Sequence, residues 1–296
     1  MLKKGLKFAF LTACVSGFSI FANKIFVTQA DPLVFTAVRN VFVALGLFLL
    51  AFVSHRTFSI PHLNFKQVLT VLFIGFCGGG LAFALFFTGL KNLSAIEGNL
   101  IHKTLFLWVV AFSWIFLKEK STKFSLFGYV FVTLGTLVIG GVFPKINSAV
   151  LMVLSATLIW ALESIAVKKM LSTIHPETLA FLRIALGNPV LFLLVFMEGK
   201  SGSVFTSKTF QVWPIITSSL FLIAYMTSWY QALKRIPVIA GTAVLAIAPF
   251  ITTLLTNIFI SHSVNSFPLL NLVVILTGIV FVIKAYRRNE KVLQEG

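Results

Sequence analysis

Long apolar runs alternate along the whole chain with short polar or proline-bearing breaks. Ten runs stand out: 6–28, 33–54, 68–89, 94–117, 124–143, 148–168, 177–197, 213–232, 237–260 and 266–286. Each is close to the ~20 residues an α-helix needs to cross the ~30 Å hydrocarbon layer of a bilayer. The breaks carry Asp31-Pro32, Pro61, Pro144, Pro176, Gly199 to Gly202, Pro214 and Pro237. Pro32, Pro214 and Pro237 fall at helix starts, where a missing N–H costs little. The pattern predicts an all-α integral membrane protein with ten transmembrane helices.

The pattern is also repeated. Shifted by 143 residues, Leu90 to Gly141 lies on Leu233 to Lys284 without a gap, and Leu90, Lys91, Ile96, Gly98, Ile115, Phe116, Phe124, Leu126, Val130 and Gly135 meet identical residues. Upstream the offset is 144. There Lys24 meets Lys168, Pro32 meets Pro176, Arg39 meets Arg183, and Leu47 to Leu50 meets Leu191 to Leu194. The change of one residue between the offsets reads as a single loop adjustment. The chain is therefore two copies of one unit, 1–146 and 147–296. The period is far longer than the ~20–50 residues of a solenoid repeat. Five helices per copy is an odd number, so the second copy enters the membrane inverted. Such repeats place a substrate site near the midplane, between the halves.

Composition leaves little room for a soluble domain. The 296 residues are 58% apolar and 11% charged, with a mean hydropathy of +1.00; soluble domains carry ~25% charged residues. The net charge of +16 reads as topology rather than nucleic-acid binding, which needs a basic face on a folded soluble module. With the N-terminus in the cytoplasm, sixteen Lys and Arg fall inside and four (Lys91, Lys145, Lys200, Lys208) fall outside. That bias predicts N-in, C-in topology. The start, Met1-Leu2-Lys3-Lys4 before an apolar run, has the look of a signal peptide. The run is long for one, and its repeat counterpart lies mid-chain. Cys14 and Cys77 fall inside apolar runs and read as small buried residues.

The segments Gly89-Leu90-Lys91-Asn92-Leu93-Ser94-Ala95 and Phe116-Leu117-Lys118-Glu119-Lys120, Phe127-Gly128 with Gly135, Tyr230 to Pro237, and Ala248-Pro249 together resemble the EamA-type, ten-helix branch of the drug/metabolite transporter superfamily. The resemblance spans essentially the whole chain. It implies a secondary transporter of small metabolites and says little about which. Two positions depart from the family pattern. Ser261-His262 stands where an acidic residue is expected, and Phe106 where the first copy usually has the proline seen here as Pro249.

Charges inside the apolar runs carry the sharpest chemical signal, because a central Lys, Arg or Asp costs roughly 2.5–3.5 kcal/mol to insert. The candidates are Lys24, Arg39, Glu97, Lys103, Glu163 and Arg183. Lys103 lies ten residues into helix four, with Asn99 one turn earlier and His102 beside that stripe. Helix nine offers a matching small or polar face: Thr242, Ala246, Pro249, Thr253 and Thr256. Two such faces can line a substrate cavity, or Lys103 can serve helix packing alone. Glu163, with Trp160 a turn before it, can hold a cationic group, neutralise Lys103 or carry a coupling proton. Glu97 is a second candidate for proton coupling, or the partner of Lys24 or Lys91 at a mouth. Arg39 and Arg183, at equivalent positions, read as structural charges that hold carbonyls or snorkel to headgroups. Lys24 and Lys168 read as interfacial anchors.

Helix one carries a polar stripe, Thr12, Ser16, Ser19 and Asn23, expected to face protein or cavity. In helix eight, Tyr225 is the most central of Ser218, Tyr225, Ser228, Trp229 and Tyr230; its aromatics can stack on a planar substrate or form an interfacial belt. Gly75, Gly78, Gly79 and Gly80 favour close helix approach, and no P-loop Lys-Ser/Thr follows them. Gly187-Asn188-Pro189 and Pro249 mark places where a helix can bend. The 33 phenylalanines read as lipid-facing bulk.

The leading expectation is a secondary transporter that moves a small polar metabolite, an amino acid or amino-acid derivative, by alternating access in a bacterial inner membrane. No cofactor or metal and no nucleic-acid partner is expected, and oligomeric state is open. An intramembrane enzyme lacks H-E-x-x-H, G-x-S-x-G and an acidic metal cluster in this sequence. A non-transporting membrane scaffold is the remaining alternative.

Overall fold

The structure, a computed structural model, describes residues 1–55, 60–119, 122–138, 145–205, 212–262 and 267–295. Among them lie ten long helices: α1 Leu2–Gln29, α2 Pro32–His55, α3 Phe65–Lys91, α4 Ala95–Leu117, α5 Lys123–Val138, α6 Ser148–Met170, α7 Pro176–Met197, α8 Val212–Arg235, α9 Val238–Ser261 and α10 Phe267–Glu295. All except α5 are long and apolar enough to cross a membrane. The expected continuation of α5 to residue 143, Pro144, and the loop cations Arg56, Lys120 and Lys208 lie outside the described residues.

Polar residues at the breaks start the helices. Asn64 and Gln67 form a reciprocal capping box at α3, and Ser94 and Glu97 do the same at α4. Asn147 caps α6 by accepting from the Val150 N–H, and the Asp31 carboxylate accepts from the N–H groups of Leu33 and Val34 at α2. Helices α4 and α9 end alike. Each closes in a π turn, Ser113–Leu117 and Asn257–Ser261, followed by a left-handed residue, Lys118 (φ 53°) or His262 (φ 48°).

Counterpart helices pack antiparallel across the two halves. In α5 and α10, Gly128 faces Gly278 and Val282, while Gly135 faces Asn271 and Ile275. As the number rises on one helix it falls on the other, so the copies run in opposite senses. The first half of α4 likewise packs on the second half of α9, and the second half of α4 on the first half of α9. Both helices break at the crossing, α4 at Thr104 and α9 at Ala246–Ile247. An offset of 143 makes these one position. Pro249, which cannot donate an N–H to the preceding turn, accounts for the break in α9. Helix α4 breaks without a proline, with the Thr104 hydroxyl donating to Ile101 O.

Helix α3 departs from its copy. Ile74–Leu81 forms a π-helical stretch, whereas α8 is α-helical throughout. A π turn holds one residue more than the α turn it replaces. The change of offset from 144 to 143 falls between residues 50 and 90, an interval that contains this stretch. Glycines there permit very close contact with α7. A methyl group on Gly79 would lie 2.0 Å from Arg183 O, and one on Gly187 would lie 2.2 Å from the Gly79 carbonyl carbon.

Candidate functional site: a charged aromatic cavity between the halves

The residues that meet at the centre of the bundle come from both copies. Helices α1 to α4 supply Ser16, Ser19, Asn23, Arg39, Phe83, Phe86, Phe87 and His102. Helices α6 to α8 supply Trp160, Glu163, Ser164, Arg183, Tyr225 and Trp229. They enclose about 80 Å³.

The polar wall is built as a network. Arg183 Nη2 pairs with Glu163 Oε2 at 2.7 Å, and both side chains are buried. Tyr230 OH donates to Glu163 Oε1 at 3.0 Å. Gly78 O, inside the π stretch, accepts from Arg183 Nη2 at 3.2 Å and from Trp160 Nε1 at 2.9 Å. Gly78 has to be glycine here, because a Cβ would lie 2.7 Å from Glu163 Cγ. Across the cavity Arg39 is 1% exposed. Its Nε and Nη2 donate to Asn40 Oδ1 at 3.1 and 2.7 Å, and its Nη1 donates to Ser218 Oγ at 3.4 Å. The guanidinium carbon lies 5.3 and 4.8 Å from the ring centres of Phe83 and Phe87, within cation–π range.

Much of the remaining wall is aromatic. Phe86, His102 and Trp160 meet edge to face or tilted, with centroids 5.0–5.4 Å apart. The buried His102 Nδ1 has no hydrogen-bond partner among the described residues.

Of the residues singled out in the sequence, Ser19, Asn23, His102, Trp160, Glu163 and Tyr225 line this cavity. Lys103, Asn99 and Thr242 do not. Asn99 and Lys103 share a face as expected, but it turns toward α1 and α9. Asn99 Nδ2 donates to Thr252 Oγ1, which in turn donates to Gly17 O. Lys103 Nζ donates to Ser16 Oγ at 3.1 Å, so it stands behind the cavity wall, with no carboxylate in ion-pair reach among the described residues. Thr242 donates back to its own helix, at Val238 O and Ile239 O. His102, one position before Lys103 and therefore ~100° around the helix, is the residue of this stretch that reaches the cavity.

Three further readings change. Arg39 and Arg183 do not snorkel to headgroups; they are buried cavity walls. Glu97 has no lysine within ion-pair distance among the described residues, although its charge still acts on Lys24; its carboxylate accepts the Ser94 N–H at 2.8 Å as a helix cap. Phe83, Phe86 and Phe87 are not lipid-facing bulk. Their i, i+3, i+4 spacing on one face of α3, following the glycines, is the signal that identifies them. Lys24 and Lys168 fasten helix ends. Lys24 Nζ donates to Leu90 O and Lys91 O (3.1 and 2.8 Å), and Lys168 Nζ to Leu233 O and Ile236 O (2.6 and 2.9 Å).

A bundle of membrane-length helices built twice in opposite senses, with a charged cavity between the copies, defines a membrane transporter of the inverted-repeat kind. The family profile described as EamA-like transporter family matches the chain twice, at residues 3–141 and 147–284. The chain belongs to that family and is a multi-pass membrane protein of its transporter superfamily. A solved crystal structure resembles it with a TM-score of 0.70 and 18% identity, covering 97% of this chain and 99% of its own. That likeness is one of fold. No curated protein matches the chain.

Proposed function

We propose that this transporter moves a small polar metabolite, an amino acid or amino-acid derivative, across a bacterial inner membrane by alternating access. The observation that carries the reading is the central cavity. Both halves build it, it holds two guanidiniums and one carboxylate, and the rest of its lining is aromatic, aliphatic and neutral polar. The paired breaks of α4 and α9 support rocking of one half on the other, because a broken helix can change its angle without losing both of its ends. The N-in, C-in orientation rests on the 16:4 distribution of Lys and Arg.

For proton coupling, Glu163 is the carboxylate in the cavity wall, and protonating it would dissolve the Arg183 ion pair. Glu97 serves a cap. The test is counterflow of labelled amino acids and their derivatives into proteoliposomes over a range of pH. Saturable exchange in the wild type is expected, with pH dependence lost in Glu163→Gln. A leak that never saturates with any of them would sink the reading, and a pH profile unchanged in the variant would remove Glu163 from coupling.

A further inference from the structure

The two copies place an arginine at the same point but treat it differently. The offset of 144 that sets Arg39 on Arg183 also sets Ser19 on Glu163. Beyond the π stretch the offset is 143 and sets Phe87 on Tyr230. In the second copy, Arg183 therefore meets a carboxylate steadied by a phenol. In the first copy both acidic and phenolic oxygens are missing, with a serine and a phenylalanine in their places. No carboxylate among the described residues lies within ion-pair distance of Arg39.

What fills the space is a neutral relay. Arg39 Nη1 donates to Ser218 Oγ, Ser218 Oγ donates to Asn23 Oδ1 at 2.5 Å, and Asn23 Nδ2 donates to Ser19 Oγ at 2.9 Å. Arg39, Asn23 and Ser19 all face the cavity. Asn40, which accepts twice from Arg39, keeps a buried Nδ2 donor without a partner among the described residues. A buried cation is stable only when something compensates it. The cavity wall carries two guanidiniums against one carboxylate, which leaves one positive charge.

We infer that the transported solute carries a carboxylate and that this group sits between Arg39 and Ser19, the place Glu163 holds in the other copy. The inference rests on the transporter reading above and names its substrate class: a monocarboxylate whose apolar or planar remainder lies against Phe83, Phe86 and Trp160. Bound solute would make the two halves electrostatically alike.

Two measurements test it. The first needs no ligand. Ser19→Glu builds the missing carboxylate into the chain and is expected to raise the melting temperature in detergent by a few degrees, a gain abolished by adding Arg39→Gln. A lower melting temperature for Ser19→Glu, or a gain indifferent to Arg39, overturns the placement. The second titrates the tryptophan fluorescence of the purified protein with 4-methylpentanoate, L-leucine and phenylacetate, each against its primary amide. Carboxylates should bind roughly tenfold or more tightly than amides, as loss of one partner of a buried charge pair requires. Ser19→Glu, still folded, should lose that binding, and Arg39→Lys should keep part of it. Amides that bind as well as acids overturn the carboxylate while leaving a solute site in place. No binding by any acid overturns the monocarboxylate class, with the transporter reading left to the flux assay above.

Discussion

Arg39 and Arg183 occupy one place in two copies of one unit, yet their surroundings have separated. Arg183 is held by a carboxylate, a backbone carbonyl and the sulfur of Met226, the last at 3.0 Å. Arg39 is held by an amide, a hydroxyl and two aromatic faces. The first set compensates a charge; the second mostly positions one. Duplication supplies two equivalent buried cations in the cavity wall, and divergence has given one a carboxylate of the chain while the other has none among the described residues.

Breaking the closed side should have the largest effect. Glu163→Ala leaves Arg183 buried without its counter-charge and is expected to cost about 3–5 kcal/mol of stability, read from unfolding in detergent. Arg39→Gln removes a cation that has no carboxylate partner among the described residues, and is expected to cost clearly less in the same assay. An equal loss in the two variants would erase the distinction.

Next comes the contact that brings α3 to Arg183. Gly79→Ala forces a methyl group against Arg183 O and is expected to cost about 1–3 kcal/mol as overpacking. Tyr230→Phe turns the second copy's phenol into the first copy's phenyl ring; losing one hydrogen bond to a charged group should cost roughly 1.5–3 kcal/mol or less, with Glu163 still paired.

The smallest effect lies away from the cavity, at Asp31 and Lys200, whose ion pair of 2.8 Å is partly exposed. Burial pushes the Asp31 carboxyl up, but the Lys200 hydrogen bond, the N–H groups of Val34 and Leu33 and the Lys200 charge outweigh it and hold it below its ordinary 3.8. A depressed carboxyl stabilises the fold above its unfolded value and loses that contribution as pH falls through the folded one. Lys200→Ala should therefore cost at most ~1 kcal/mol near neutrality and flatten the melting curve against pH only below 3.8.

The helices were legible in the chain because the apolar runs are about a membrane's width and the breaks carry helix-starting residues, such as the caps Asp31, Asn64, Ser94 and Asn147 and the prolines Pro176 and Pro237. The stripe on α1 was legible too: Ser16, Ser19 and Asn23 do face the cavity, since a polar stripe gains nothing against lipid. The direction of a face around a helix was not. Asn99 and Lys103 share one, but nothing in a linear pattern tells whether it looks toward α9 or toward α6. The cavity's arginines were found by their repeat, and Arg183 does hold a carbonyl, that of Gly78; its carboxylate partner twenty residues away is visible only once α6 and α7 are packed. The aromatic wall on α3 was hidden by the many other phenylalanines that do face outward, such as Phe10, Phe127 and Phe196.

The π stretch of α3 has a consequence for how the halves can change length. An added residue in an ordinary helix turns everything beyond it by ~100°, which would swing Phe83, Phe86 and Phe87 off the cavity. Absorbed as a wider turn among glycines, the same residue leaves both flanking faces in phase. The π stretch thus sits in the first copy with its aromatic wall aligned on the cavity, and the carbonyl of Gly78 within it is an acceptor for the other copy's Trp160 and Arg183. The wider turn thereby serves as a fastening between the two halves.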